Sequence, residues 1–188
     1  MRCFIAINLP DETKREIEKI QKSLPEFKGK KTEFENIHLT LKFLGEVDEK
    51  NIHEVLKRLG KIRLQEFEAE IDSIGCFDNR KSKKYDKQII VWLHMANCNA
   101  LQKEIDLALR EIFEREKRFM SHITIARVKY KGDNKEFIEE LKKIKFKKIT
   151  LKIRDFYLMK SELDGKGLKY GIVEKFGLKK KIHHKNTF

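Results

Sequence analysis

Two stretches of the chain, residues 36–45 (NIHLTLKFLG) and 120–129 (MSHITIARVK), each hold His-x-Thr with an aliphatic residue between and another after. In a strand, residues i and i+2 share a face. His38 and Thr40 therefore point one way, and Ile37, Leu39 and Leu41 point the other. His122 and Thr124 pair in the same manner against Ile123 and Ile125. Two imidazoles and two hydroxyls, with no cysteine or carboxylate in either motif, suit chemistry at phosphorus. One neutral imidazole can take a proton from an attacking hydroxyl, and one imidazolium can give a proton to the leaving oxygen. The threonine hydroxyls can donate to non-bridging phosphate oxygens. An acid and a base on opposite sides of phosphorus favour in-line displacement, as the opening of a cyclic phosphodiester requires. Zinc takes three or four close ligands, more than two imidazoles supply, so neither a metal nor another cofactor is expected.

One His-x-Thr means little; its repetition inside a repeated frame means more. Residues 2–8 (RCFIAIN) read as a buried strand of β-branched and aromatic residues. Pro10 and Asp11 open a helix with Ile17, Ile20 and Leu24 on one face. After the first motif strand, Asp48 caps a helix with Ile52, Val55, Leu56 and Leu59 at helical spacing. A half-buried strand follows, in which Phe67, Ala69 and Ile71 alternate with charged residues. The second half repeats the order. It has a strand over 88–95, then a helix capped by Asn97 or Asn99 that carries Leu101, Ile105, Ala108, Leu109 and Ile112. The second motif strand comes next, then a helix capped by Asp133 or Asn134 with Phe137, Ile138, Leu141 and Ile144. Residues 148–161 form one closing strand, and residues 169–178 pair with it after an Asp164-Gly165 turn. His38 lies ten residues before Asp48, and His122 eleven before Asp133. The expected fold is α+β, one domain over 1–188 built from an internal repeat (about 1–80 and 86–178) with a basic tail at 179–188. Each of two pseudo-symmetric lobes is a mostly antiparallel sheet covered by two helices, and the His-x-Thr strands face a central cleft.

The bulk properties narrow the setting. Charged residues make up 39% of the chain and the net charge is +13, which attracts polyanions, nucleic acid first among them. A Lys-rich solvated surface is the plain alternative, and the segment 142–154 (KKIKFKKITLKIR) is where a basic RNA-binding face would lie. Cys3, Cys76 and Cys98 are odd in number and scattered, against a disulfide framework or a thiolate metal site. No apolar run approaches the ~20 residues of a membrane helix, and the first residues do not read as a signal peptide. A cytoplasmic, monomeric protein with no membrane and no obligatory protein partner is expected. The remaining histidines look ordinary: His53 on a helix surface, His94 near a strand end without a following Thr, and His183 and His184 in the tail.

The segments MRCFIAINLP, NIHLTLKFLGEVDE, HITIARVK and YLMKSEL…GLKYGIVEKFGL together resemble the bacterial and archaeal 2'-5' RNA ligase, or RNA 2',3'-cyclic phosphodiesterase, family of the two-histidine phosphoesterases. The resemblance runs from Met1 to about Leu178. It implies metal-independent hydrolysis of RNA 2',3'-cyclic phosphate ends to 2'-phosphates, and reversible, ATP-independent joining of RNA ends through a 2'-5' linkage. Its catalytic histidines map onto His38 and His122, and its phosphate-binding threonines onto Thr40 and Thr124. It assigns His122 as base and His38 as acid, a choice on which the pseudo-symmetric residues themselves are silent. Other members of the superfamily act on small cyclic or 2'-5'-linked nucleotides, a second reading; a non-catalytic RNA-binding module is a third. Lys42, four residues from His38, is expected either to face the cleft and bind substrate or to be a solvated edge lysine. Arg127 matches a family position near the active site. Strict alternation puts it on the wrong face, so it needs a bulge or a place beyond the strand end to reach the cleft. Ser121 stands where relatives commonly have proline, which would loosen the start of the second strand, and Ser161 matches a position of unclear role.

Overall fold

A computed structural model of the chain describes residues 1–79, 88–129, 135–164 and 167–180. Nine strands and four α-helices lie among them: β1 (Arg2–Asn8), α1 (Asp11–Lys22), β2 (Gly29–Lys31), β3 (His38–Glu46), α2 (Glu49–Leu59), β4 (Phe67–Asp78), β5 (Gln88–Ala96), α3 (Asn99–Leu109), β6 (His122–Lys129), α4 (Lys135–Lys143), β7 (Ile149–Ile153), β8 (Asp155–Asp164) and β9 (Gly167–Gly177). The fold is α+β. The strands hydrogen-bond into one sheet in the order β7-β4-β5-β6-β3-β1-β8-β9, with β2 beside β6, and all named pairings are antiparallel.

The middle of this sheet is its weakest seam. The motif strands β3 and β6 meet at one residue pair, Leu39 with Ile123, and then splay apart. The order outward from the seam, β3-β1-β8-β9 on one side and β6-β5-β4-β7 on the other, shows how the chain distributes itself. β4 follows the first motif yet sits on the side of the second, and β8 does the reverse. β7 and β8 lie on opposite sides of the seam although only Arg154 separates them in sequence. The expected single closing strand over 148–161 is therefore two strands, broken at Arg154. A one-residue link between the two sides requires the sheet to curl until its ends approach. Glu66 N–H donates to the Lys179 carbonyl, and Leu178 N–H to that of Arg154, across this closure.

One face of the sheet carries the core. Ile5, Ile7, Leu39, Leu41, Ile71, Val91, Leu93 and Ile123 are buried there against Ile17, Val55, Ile105 and Leu141 of the four helices. Each such side chain contributes about 1.5–3 kcal/mol of transfer free energy. The Asp48 carboxylate accepts from Asn51 N–H and caps α2 as expected. Neither Asn97 nor Asn99 caps α3: Cys98 holds the cap position, while Asn97 turns at φ 70° and donates from Nδ2 to the Glu68 carbonyl. The helix stops at Leu109, short of Ile112. The expected caps Asp133 and Asn134, the turn residue Gly165, and tail residues 181–188 with His183 and His184 lie outside the described residues. None of the described helices is long and apolar enough to cross a membrane.

Candidate active site

The helix-free face is the cleft, and bulges decide what reaches it. On β1, Asn8 pairs with His38, Ala6 with Thr40 and Phe4 with Phe43, so these six residues share that face. Between Thr40 and Lys42 the register slips by one residue. The slip sends Lys42 to the helix side, where it is 4% exposed, and turns Phe43 outward. Lys42 Nζ donates to Asp106 Oδ1 and to the Glu114 carbonyl, both at 2.6 Å. The expectation that Lys42 faces the cleft, or lies solvated at an edge, is corrected: alternation fails at the bulge, and the ammonium is held in a buried ion pair with α3.

The second motif has the same slip. Trp92 pairs with Thr124 but Val91 with Ala126, which leaves Ile125 as the extra residue and moves Arg127 to the face of His122 and Thr124. Arg127 reaches the cleft by the bulge that its position required. The bulge is pinned from below. Thr32 N–H donates to the Ile125 carbonyl at 2.9 Å, Thr32 Oγ1 to the Thr124 carbonyl at 2.9 Å, and buried Gln21 Nε2 to the carbonyls of Ile125 and Thr32 at 2.8 and 2.9 Å. Strand β2 continues this support. Its Gly29, at φ +153°, passes so close to the Arg127 carbonyl that a Cβ would lie 2.1 Å from the oxygen, so a side chain there is excluded. Gln21 and Thr32 carry no motif, and only their backbone partners reveal them.

Both imidazoles are ordered identically. Nδ1 of His38 donates to the Asn36 carbonyl at 2.8 Å, and Nδ1 of His122 to the Met120 carbonyl at 2.7 Å. Nε2 is thereby the reactive nitrogen of each ring. His38 Nε2 meets Thr40 Oγ1 at 3.0 Å. The antiparallel register through Leu39 and Ile123 sets His38 across from Thr124 and Thr40 across from His122. His38 is walled by Phe4 and Tyr170, with ring centroids 5.0 and 5.1 Å away. His122 stands edge-on to Phe77 at 5.1 Å. Burial first, with the charges of Lys14 and His122, holds the His38 imidazolium at about 4, against the opposing bond to the Asn36 carbonyl. Burial also lowers His122, opposed by its bond to the Met120 carbonyl and helped by the charge of Arg127. Ser121 does not loosen the start of β6: its hydroxyl donates to the Met95 carbonyl at 2.5 Å and ties the strand to β5. Ser161 lies half-buried on β8 opposite Tyr170 of β9.

His94, which looked ordinary in sequence, pairs in register with His122 and binds Asp72 Oδ1 through Nδ1 at 2.8 Å. Beside it, Trp92 covers Gly75, where a Cβ would lie 2.4 Å from the indole. His53 lies exposed on α2 as expected. The basic segment 142–154 is partly neutralised, since Lys148 pairs with Glu70 at 2.7 Å and Lys152 with Glu66 at 2.5 Å. A cavity of about 370 Å³ between α2 and α3 is lined by Arg58, Glu104 and Leu107; it lies on the helix side, away from the histidines. Among the described residues, no three His, Cys, Asp or Glu side chains are grouped to hold a metal ion.

The model of the LigT-like phosphoesterase family matches residues 7–85 and 94–170. The RNA 2',3'-cyclic phosphodiesterase of Methanocaldococcus jannaschii is 34% identical over 183 residues, covering 94% of this chain and all of that one. The protein of the same name from Archaeoglobus fulgidus is 31% identical, covering 89% and 94%. Among solved structures, TT0787 of Thermus thermophilus superposes with a TM-score of 0.75 at 25% identity, covering 97% of this chain and 100% of that one. E. coli LigT complexed with 3'-AMP superposes with a TM-score of 0.74 at 24% identity, covering 94% and 97%, which speaks to the fold alone.

Proposed function

This chain belongs to the LigT-like phosphoesterase family, and on that premise we propose that it hydrolyses RNA 2',3'-cyclic phosphate ends to 2'-phosphates with His122 as base and His38 as acid. The observation that carries the reading is the matched pair of imidazoles on one face, each fixed through Nδ1 by a backbone carbonyl two residues before it. Water attacks phosphorus opposite the 3' oxygen and passes its proton to His122 Nε2. His38 Nε2–H gives a proton to the departing 3' oxygen. Thr40, Thr124 and Arg127 donate to the non-bridging oxygens as charge gathers there. The proton transfers need no metal. A 5'-hydroxyl in place of water would give a 2'-5' linkage by the same steps.

The depressed His38 is consistent with an acid that is charged only with substrate present. In the empty site burial disfavours the imidazolium. An anionic phosphate bound against it supplies the opposite charge that restores it. Support for an RNA end over a small cyclic nucleotide comes from the net charge of +13, more than one phosphate requires, and from the names of the relatives. The test is His38→Ala and His122→Ala on an oligoribonucleotide with a cyclic phosphate, in chelator. Each substitution is expected to lower turnover by about 10²–10⁴-fold with an unchanged circular dichroism spectrum. Near-normal turnover in either variant, or a need for added metal in the parent, refutes the reading.

A further inference from the structure

The two walls of the cleft are chemically unlike. The His38 wall is largely aromatic and aliphatic: Phe4, Ala6 and Met159 form a small buried cluster with Tyr157 and Tyr170 packed on it, and Asn8 beside His38 turns its amide to Met159 Sδ. The His122 wall holds a polar group that hydrolysis does not use. Asp72 is the extra residue of a bulge in β4, between the pairs Ile71–Met95 and Ser73–His94. The bulge brings its carboxylate to His94. Asp72 Oδ1 accepts from His94 Nδ1 and from Ser73 Oγ, both at 2.8 Å. The His94 and Asp72 side chains remain 36% and 25% exposed, so the pair is ordered but open.

We propose that Asp72, Ser73 and His94 form a sugar-hydroxyl subsite for a second ribonucleotide, the one whose 5'-hydroxyl attacks phosphorus in RNA joining. The proposal rests on the two-histidine reading above. Because Nδ1–H is given to the carboxylate, Nε2 is the ring nitrogen left for a ligand, where it can accept from a hydroxyl. The carboxylate behind it repels a phosphate, so the subsite selects a neutral sugar group. A cyclic end cannot supply that group, because both oxygens of its 2',3' pair are bonded to phosphorus; that nucleoside suits the apolar His38 wall. The attacking nucleotide does supply it, as a free 2'-hydroxyl. Directly paired residues on one face have Cβ atoms about 4.5–5.5 Å apart, comparable to the reach across one ribose. With the 5' oxygen at His122 Nε2, the same sugar extends to His94. In the joining step the 5'-oxygen–phosphorus bond forms and the phosphorus–3'-oxygen bond breaks. The 5'-hydroxyl proton goes to His122, and His38 protonates the 3' oxygen.

Trp92 is the only tryptophan, shares the cleft face of β5 with His94 and touches Phe77 at 5.4 Å, so its fluorescence reports on this wall. The parent protein is titrated with a 5'-hydroxyl oligoribonucleotide lacking terminal phosphates and with its deoxy counterpart. RNA is expected to bind about tenfold more tightly, the size of one hydrogen bond. His94→Ala should erase that preference, and His94→Gln, which retains an acceptor, should restore part of it. With a cyclic-phosphate donor present, the ratio of joined to hydrolysed product should fall about tenfold in His94→Ala. Equal binding of RNA and DNA by the parent, or a preference and product ratio unmoved in His94→Ala, overturns the subsite. If the parent hydrolyses the cyclic end while those results appear, the subsite alone fails. If RNA preference depends on His94 but the cyclic end stays intact, the catalytic reading alone fails.

Discussion

Removing either partner of the Lys42–Asp106 pair should damage the fold, and removing both should cost less than the two losses added. Lys42 and Asp106 are 4% and 5% exposed and meet at 2.6 Å. Asp106 also accepts from Gln102 Nε2 at 2.7 Å and from Glu116 N–H at 3.1 Å, so its carboxylate gathers three donors. Asp106→Leu leaves a buried ammonium with the Glu114 carbonyl as its remaining partner among the described residues, and strands two N–H groups. The expected loss is about 3–5 kcal/mol, a fall in Tm of roughly 6–20 °C for a chain of this size. Lys42→Met leaves the carboxylate with two donors and should cost less, about 2–3 kcal/mol. The double variant no longer buries an unpaired charge, although Gln102 Nε2 and Glu116 N–H still lose their acceptor, so it should lose clearly less than the two single losses added. Urea unfolding of the four proteins gives the coupling directly. Additive losses would refute the buried pair. So would a Lys42→Met protein of parental stability that loses turnover, since that is how a lysine contacting substrate behaves.

Two further outcomes follow from the site. Both imidazolium groups lie below the ordinary value of 6.5, His38 at about 4, and the free enzyme with one proton on the pair is most populated between them. The pH profile of kcat/KM should therefore be bell-shaped with its apex below pH 6.5, acid of a neutral optimum, while kcat, which reports the bound state, should peak at higher pH; a kcat/KM still rising through pH 7 contradicts this. Gln21→Leu removes the amide that clamps the Ile125 and Thr32 carbonyls, and should lower urea-measured stability by about 1–3 kcal/mol and turnover as well, at a temperature where the variant is fully folded; unchanged turnover would show that the clamp does not position Thr124 and Arg127.

What could be read from the sequence was whatever obeys a period. The helices were legible because apolar residues recur at helical spacing around Ile17, Val55, Ile105 and Leu141, and the two motif strands because their apolar residues alternate. Bulges leave no periodic trace, so alternation from His38 puts Lys42 on the cleft face, whereas the register slip buries it on the helix side and turns Phe43 outward. The strand β2 (GKK) is too short, polar and exposed to announce itself; it exists because β3 splays from β6 after one pair and leaves backbone groups to satisfy. The break at Arg154 was hidden because 148–153 and 155–161 read alike, and only the curl of the sheet separates them. His94 gave no signal because its partner Asp72 lies across a strand pair, on a bulge, twenty-two residues away.

The most direct test of the central claim is to incubate the protein, with chelator, with an oligoribonucleotide ending in a 2',3'-cyclic phosphate and to map the end by mass and phosphatase sensitivity. The account predicts gain of one water and a phosphate left on the 2' oxygen, lost in His122→Ala. A 3'-phosphate product, or an end that stays cyclic, would contradict it.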